Sequence, residues 1–229
     1  MLENYQKERI TLIKEILPFF EDNFVLKGGT ALSLFYGLDR YSEDLDFDCK
    51  NNNMNFINKL KKHKDFKFWK ISIKKDTDLV FRAMLDYGAC SHLGAYPLKI
   101  EVSNRNKIFL QENKLKITKK DKVNVYELDE LIKMKVIAFS GRDKIRDFYD
   151  LGFLLKNYPD KFSDEALFSI YEKISYAGVD ELNLLLLDEI TNHKLVSNQE
   201  LTINYAQDIL EYIEKLQQRT THSNKIRKK

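Results

Sequence analysis

The chain has 229 residues, 43% of them hydrophobic and 32% charged, which is enough apolar side chain for a core and enough length for one large or two small domains. No run of about 18 uncharged apolar residues exists, so a helical membrane span is excluded, and two cysteines, Cys49 and Cys90, cannot make a disulfide framework or a four-ligand zinc site. The 38 Lys+Arg exceed the 35 Asp+Glu only because Arg219–Lys229 holds five basic residues and no acid, so bulk charge does not mark the body as a nucleic-acid binder.

The first ten residues, MLENYQKERI, are polar and lack the apolar stretch of a secretory signal; with so few cysteines, a reducing cytoplasm is the expected location. The basic tail reads as a frayed terminus or as a contact to phosphate backbones. A helix is predicted over Leu2–Phe20, where Ile10, Ile13, Leu17 and Phe20 recur at helical spacing. Phe24–Leu26 predicts a short strand running into Lys27-Gly28-Gly29-Thr30, and Ala31–Tyr36 a helix. Leu45–Asp48 alternates as a strand, and Asn55–Lys64 predicts a helix. Phe66–Ile73 and Leu79–Tyr87 are rich in aromatic and β-branched residues and predict strands; Leu98–Val102 predicts another, and Lys114–Thr118 a weaker one.

Beyond about Val123 the pattern turns helical: Glu127–Phe139, Asp143–Lys156, Asp164–Ile174, Asp180–Ile190 and Asn198–Leu216, with Asp164, Asp180 and Asn198 as N-caps. Leu201, Tyr205, Ile209, Tyr212, Ile213 and Leu216 form a long stripe on the last of these. The expected class is α+β, with an α/β domain over residues 1–123 and a helical bundle with a basic tail over 124–229.

Chemistry concentrates in Leu26–Asp48, LKGGTALSLFYGLDRYSEDLDFD. Paired glycines allow a tight turn and close approach to a ligand, and the helix N-terminus that follows offers free N–H groups suited to phosphate. A Gly-Gly turn capped by Thr30 also serves structure alone. Ser42-Glu43-Asp44-Leu45-Asp46-Phe47-Asp48 is more telling. Alternation puts Asp44, Asp46 and Asp48 on one face and Leu45 and Phe47 on the other. Two carboxylates about 6–7 Å apart along a strand can converge on a hard cation such as Mg²⁺ that also binds substrate phosphates; the plain alternative is a charged edge strand. Glu101, in the otherwise apolar LKIEV, is the best third acid, because an unpaired carboxylate there is costly; Asp86 is the runner-up.

Gly28-Gly29, the Asp44-x-Asp46 pair and a later acid resemble the signature of the nucleotidyltransferase superfamily. LKGGTAL followed by Arg40-x-Ser42-x-Asp44-Leu45-Asp46-Phe47 is similar to the AbiEii/AbiGii-type branch, the toxins of type IV toxin–antitoxin pairs. LIKMKVIAFSGRDKIRDFYDL extends the resemblance through Lys135, Ala138, Arg142, Lys144, Arg146, Asp147, Asp150 and Leu151, so that it covers the chain to about residue 155. The resemblance implies a mixed β-sheet core with flanking helices, and transfer of an NMP from an NTP to an acceptor hydroxyl on RNA, notably a tRNA end, or on protein. It implies Mg²⁺ or Mn²⁺ at Asp44, Asp46 and Glu101, though Glu101 stands where the superfamily usually has Asp. Gly28, Gly29, Thr30, Arg40, Ser42 and Lys135 would bind nucleotide, Lys135 and Asp147 would join the catalytic set, and a cognate antitoxin is a possible partner. Base preference, acceptor and oligomeric state are left open.

Periodicity alone puts Lys135 on the apolar face of its helix, either snorkelling or reaching a polar pocket. It also makes Arg142, Arg146, Asp147 and Asp150 readable as ordinary helix ion pairs. Lys59, Lys61, Lys62, Lys64, Lys67 and Lys70 interleave with Phe66, Phe68 and Trp69, which suits RNA or a solvated face beside a core strand. Rival readings are a small-molecule (antibiotic-type) nucleotidyltransferase, a non-catalytic NTP- or RNA-binding module, and a helical bundle that docks an antitoxin. The four histidines show no i,i+4 pair, which argues against zinc chemistry.

Overall fold

Alternation of apolar and charged residues builds the sheet on which the acids stand. The computed structural model describes residues 2–21, 23–193 and 204–226. The chain falls into two units, Met1–Gly37 with Tyr41–Leu131, and Leu38–Arg40 with Ile132–Lys229.

In the first unit, α1 (Asn4–Ile16) is opened by a capping box between Glu3 and Gln6 and buries Leu12, Ile13 and Ile16. Pro18 then helps convert the chain to a 3₁₀ turn over Leu17–Phe19. There follow β1 (Phe24–Lys27), α2 (Gly28–Phe35), β2 (Leu45–Cys49), α3 (Ile57–Leu60), β3 (Lys70–Asp76) and β4 (Val80–Asp86). A small ribbon of β5 (Cys90–Ser91) and β6 (Gly94–Ala95) leads to β7 (Leu98–Ser103), α4 (Lys107–Gln111), β8 (Ile117–Lys120) and β9 (Val123–Tyr126). Seven of these strands form one mixed sheet in the order β3-β4-β7-β2-β1-β9-β8, with β2–β7 and β1–β9 parallel and the remaining pairs antiparallel.

Leu45, Phe47, Phe81, Ala83, Leu85, Leu98, Ile100 and Val102 supply one face of the sheet and are buried. Phe20 stacks on Phe47 with centroids 4.5 Å apart, and Phe24 meets Phe20 edge-on at 5.5 Å. The alternate residues, Asp46, Arg82, Met84, Lys99 and Glu101, are only half-buried. The same period that builds the core therefore keeps the charged row accessible.

The second unit is helical: α5 (Leu128–Gly141), which begins in the first unit, then α6 (Ile145–Asn157), α7 (Asp164–Ala177), α8 (Val179–Asp188) and α9 (Tyr205–Ile226). Phe148 stacks on Phe139 and meets Tyr205 edge-on, while Tyr149 stacks on Tyr205. Gly152 admits this approach, since a Cβ there would lie 2.2 Å from the Tyr205 hydroxyl.

The mixed sheet, its flanking helices and the helical C-terminal region match the expected class. Several local expectations differ. Asn55–Lys64 gives only the single turn of α3, because Leu60 is followed by charged residues with no apolar stripe. Phe66–Phe68 is a 3₁₀ turn rather than strand, and β3 starts at Lys70. α4 and β9, each too short for a periodic signal, were not expected. Ser163, not Asp164, caps α7 by accepting the Ala166 N–H. Asp180 lies inside α8, whose cap is Gly178 at φ +87°. Asn198, Leu201 and Arg227–Lys229 fall outside the described residues.

Candidate active site

Asp46 and Glu101 are register partners on the parallel strands β2 and β7, so their side chains leave the same face of the sheet. Asp44 stands just ahead of β2, and its carboxylate receives the ammonium of Lys99, two residues before Glu101 on β7. The next strand, β4, places Arg82 opposite Glu101, with Nη2 2.5 Å from Oε2. On the other side, β1 places Lys27 opposite Asp46, and its ammonium bonds Asp48 at 2.5 Å. Across five strands the row reads Lys27, Asp46, Glu101, Arg82, Lys75.

Burial, together with Asp44 and Glu101, pushes the Asp46 carboxyl above the usual carboxylate range against the opposing pull of Lys99 and Lys27. Burial would lower the Lys99 ammonium, but Asp44, Asp46 and Glu101 outweigh it and hold it above its ordinary value. Asp48 shares this face but is fully buried and satisfied by Lys27, by Asn106 at 2.7 Å and by the Tyr126 hydroxyl at 2.8 Å. It acts as a structural anchor. Asp86 sits opposite Lys70 and accepts the Gly88 N–H at 3.0 Å; Arg82, not Asp86, is the β4 partner of Glu101.

The glycine turn lies against this row. α2 starts at Gly28 rather than after Thr30, so Gly28, Gly29 and Thr30 form its first turn, where backbone N–H groups have no intrahelical partner. Gly28 has φ +75°, and a Cβ there would come 3.3 Å from Asp46 Oδ2. The buried Thr30 hydroxyl donates to the Asp44 carbonyl at 2.5 Å and lies 2.8 Å from Ser42 Oγ. Thr30 therefore fixes the segment that delivers Asp44, and the turn presents its backbone N–H groups.

The second unit holds a separate ionic cluster. Arg40 binds Asp150 through two bonds, and Lys135 lies 2.6 Å from Asp150 and 2.8 Å from Asp147. Arg142 adds a contact to Asp147 at 2.7 Å. Burial alone would raise both aspartates, but Lys135 with Arg142 at Asp147, and Arg40 with Lys135 at Asp150, hold them below the ordinary range. The structure thus brings Asp44, Asp46, Glu101 and Gly28 together in one unit, and Arg40, Lys135 and Asp147 together in the other.

The family model for the nucleotidyl transferase AbiEii toxin of type IV toxin–antitoxin systems matches residues 12–218. The chain belongs to the AbiEii family. It is a toxin-type nucleotidyltransferase, and membership brings a nucleotide substrate and a type IV antitoxin as counterpart. Among solved structures it resembles JHP933 from Helicobacter pylori, at 27% identity over 100% of both chains with a TM-score of 0.75. It also resembles a proposed nucleotidyltransferase from H. pylori, at 28% identity over 95% of this chain and 97% of that one with a TM-score of 0.74. No curated protein matches in sequence. No helix among the described residues is long and apolar enough to cross a membrane.

In this AbiEii chain the chemistry of the donor set fits a divalent cation: three hard carboxylates, one of them raised by burial and, less, by the charge of the other two. As the side chains stand, no three acidic, His or Cys groups among the described residues are arranged so as to hold a metal ion; Lys99 is paired with Asp44 and Arg82 with Glu101. Sequence reasoning missed those two cations. Their only local signal was Lys99 two residues before Glu101 in an apolar strand.

Proposed function

We propose that this AbiEii chain transfers an NMP from an NTP to a hydroxyl at an RNA end. The observation that carries the reading is the contact of Gly28, at the start of α2, with Asp46, itself in register with Glu101. A phosphate-binding helix N-terminus and an acid row are thereby adjacent.

Asp44, Asp46 and Glu101 would hold Mg²⁺ or Mn²⁺, which when bound polarises the α-phosphate and offsets the charge of the leaving pyrophosphate. The N–H groups of the first α2 turn orient the triphosphate. Thr30 and Ser42 keep Asp44 at the mouth of β2. Glu101 takes the acceptor's proton. Exposed Lys61, Lys62, Lys64, Lys67 and Lys70, with Phe68 71% exposed, favour a nucleic-acid acceptor over a small molecule.

The test incubates purified protein with each labelled NTP, Mg²⁺ and total RNA. Label enters RNA with the wild type and is lost with Asp44→Asn at unchanged thermal stability. Full transfer by Asp44→Asn would overturn the site, and label in protein alone would overturn the acceptor.

A further inference from the structure

The acid row carries its own cations. Lys99 reaches Asp44 and Arg82 reaches Glu101, and both side chains keep solvent access, 29% for Lys99 and 40% for Arg82. Three carboxylates against two such cations leave a deficit of one positive charge. Without the two, a triphosphate approaching Gly28 would meet a row dominated by negative charge. Lys27, the cation opposite Asp46, is tied to the fully buried Asp48.

We propose that Lys99, with Arg82 beside it, neutralises the acid row in the nucleotide-free protein and turns onto the nucleotide's phosphates once a divalent cation takes the carboxylates. The inference rests on the metal-and-nucleotide reading given above and assigns a phosphate-binding role to residues outside it. A lysine suits the exchange, because its ammonium is a compact charge on a flexible four-carbon stem and can reorient without loss of donors. Lys99 faces Asp44, Asp46 and Glu101 together, so a cation entering among these acids must displace it. Asp46, which Lys99 faces, stands so close to Gly28 that a Cβ there would lie 3.3 Å from its carboxylate, so the first turn of α2 is the nearest destination for a displaced Lys99. Metal and nucleotide then assist each other, because each relieves a cost of binding the other.

Two binding measurements of opposite sign test this. Mn²⁺ binding to the nucleotide-free protein is followed by electron paramagnetic resonance, and binding of inorganic triphosphate in saturating Mg²⁺ by calorimetry. Lys99→Met is expected to bind Mn²⁺ about three- to fivefold more tightly and Mg²⁺–triphosphate about three- to fivefold more weakly, the scale of one part-exposed ion pair. Arg82→Met shifts both in the same directions by less. Lys74→Met, which removes an exposed charge from β3, leaves both unchanged. Lys99→Gln repeats the measurement should Lys99→Met fail to fold. The inference is overturned if Lys99→Met weakens both ligands, changes neither, or behaves as Lys74→Met does. If no variant and not the wild type binds Mn²⁺, the metal reading itself falls and this inference with it; wild-type binding with an unmoved Lys99→Met removes this inference alone.

Discussion

Arg40 and Asp150, 110 residues apart in sequence, form a two-point ion pair at 2.5 and 2.8 Å with side chains only 5% and 0% exposed. Such a pair is costly to break on one side, because the remaining charge stays buried after losing its main counter-ion. Asp150→Ala should lower the unfolding free energy by about 3–5 kcal/mol, while Arg40→Met with Asp150→Leu should recover most of that loss. Urea unfolding of the three proteins measures this. Equal losses in the single and double variants would show that the pair is not coupled.

The pH dependence follows from the direction of the shifts. Asp147 and Asp150 are held below the ordinary carboxylate value when folded. Their stabilisation is therefore complete above the unfolded value of about 4 and is lost as pH falls through the folded values. The urea midpoint of the wild type should decline as pH drops below about 4. The Arg40→Met, Asp150→Leu protein should decline less steeply over the same interval; parallel curves would contradict the assignment.

At Gly28, φ +75° and the 3.3 Å approach to Asp46 oppose any side chain. Gly28→Ala should cost about 1–2 kcal/mol of stability through backbone strain. It should also depress transfer well beyond that loss, since the added methyl presses on Asp46. Thermal melting and a single-turnover assay separate the two effects. Wild-type transfer by a folded Gly28→Ala protein would remove the turn from the site.

Arg9, 1% exposed, donates to the Tyr87 hydroxyl and the Glu43 carbonyl at 2.7 Å each and to the Tyr96 carbonyl, and lies 3.9 Å from the Tyr96 ring centre. One planar fork serves three acceptors and so locks the residue preceding Asp44. Arg9→Lys cannot reproduce this geometry. It should lose about 1–3 kcal/mol for an acceptor left unpaired and lower transfer in parallel. Chemical unfolding and the labelled-NTP assay check both.

The legible parts of this protein are those governed by short-range periodicity. Leu45–Asp48 announces its two faces because β2 alternates strictly, and Glu101 stands out because a carboxylate in LKIEV has no apolar reason to be there. The partners of those acids were hidden, since the pairing of Glu101 with Arg82 and of Asp46 with Lys27 depends on how β4, β7, β2 and β1 align across the sheet. Asp48 illustrates the limit. Alternation gives it the same face as Asp46, yet Lys27, Asn106 and Tyr126 enclose it. Arg40 is likewise illegible from its neighbours in sequence, since the carboxylate it binds, Asp150, lies on α6.

The alternation of β2 also restricts how this gene can vary in length. Because Leu45, Phe47 and Cys49 pack inward while Asp46 and Asp48 occupy the opposite side, deleting or inserting one codon there would exchange the two sets at a stroke. Carboxylates would be driven into the phenylalanine cluster and hydrophobes onto the working surface. Descendants of this sequence can therefore accept substitutions along the strand one at a time, but a single-codon indel within it would abolish folding and chemistry together.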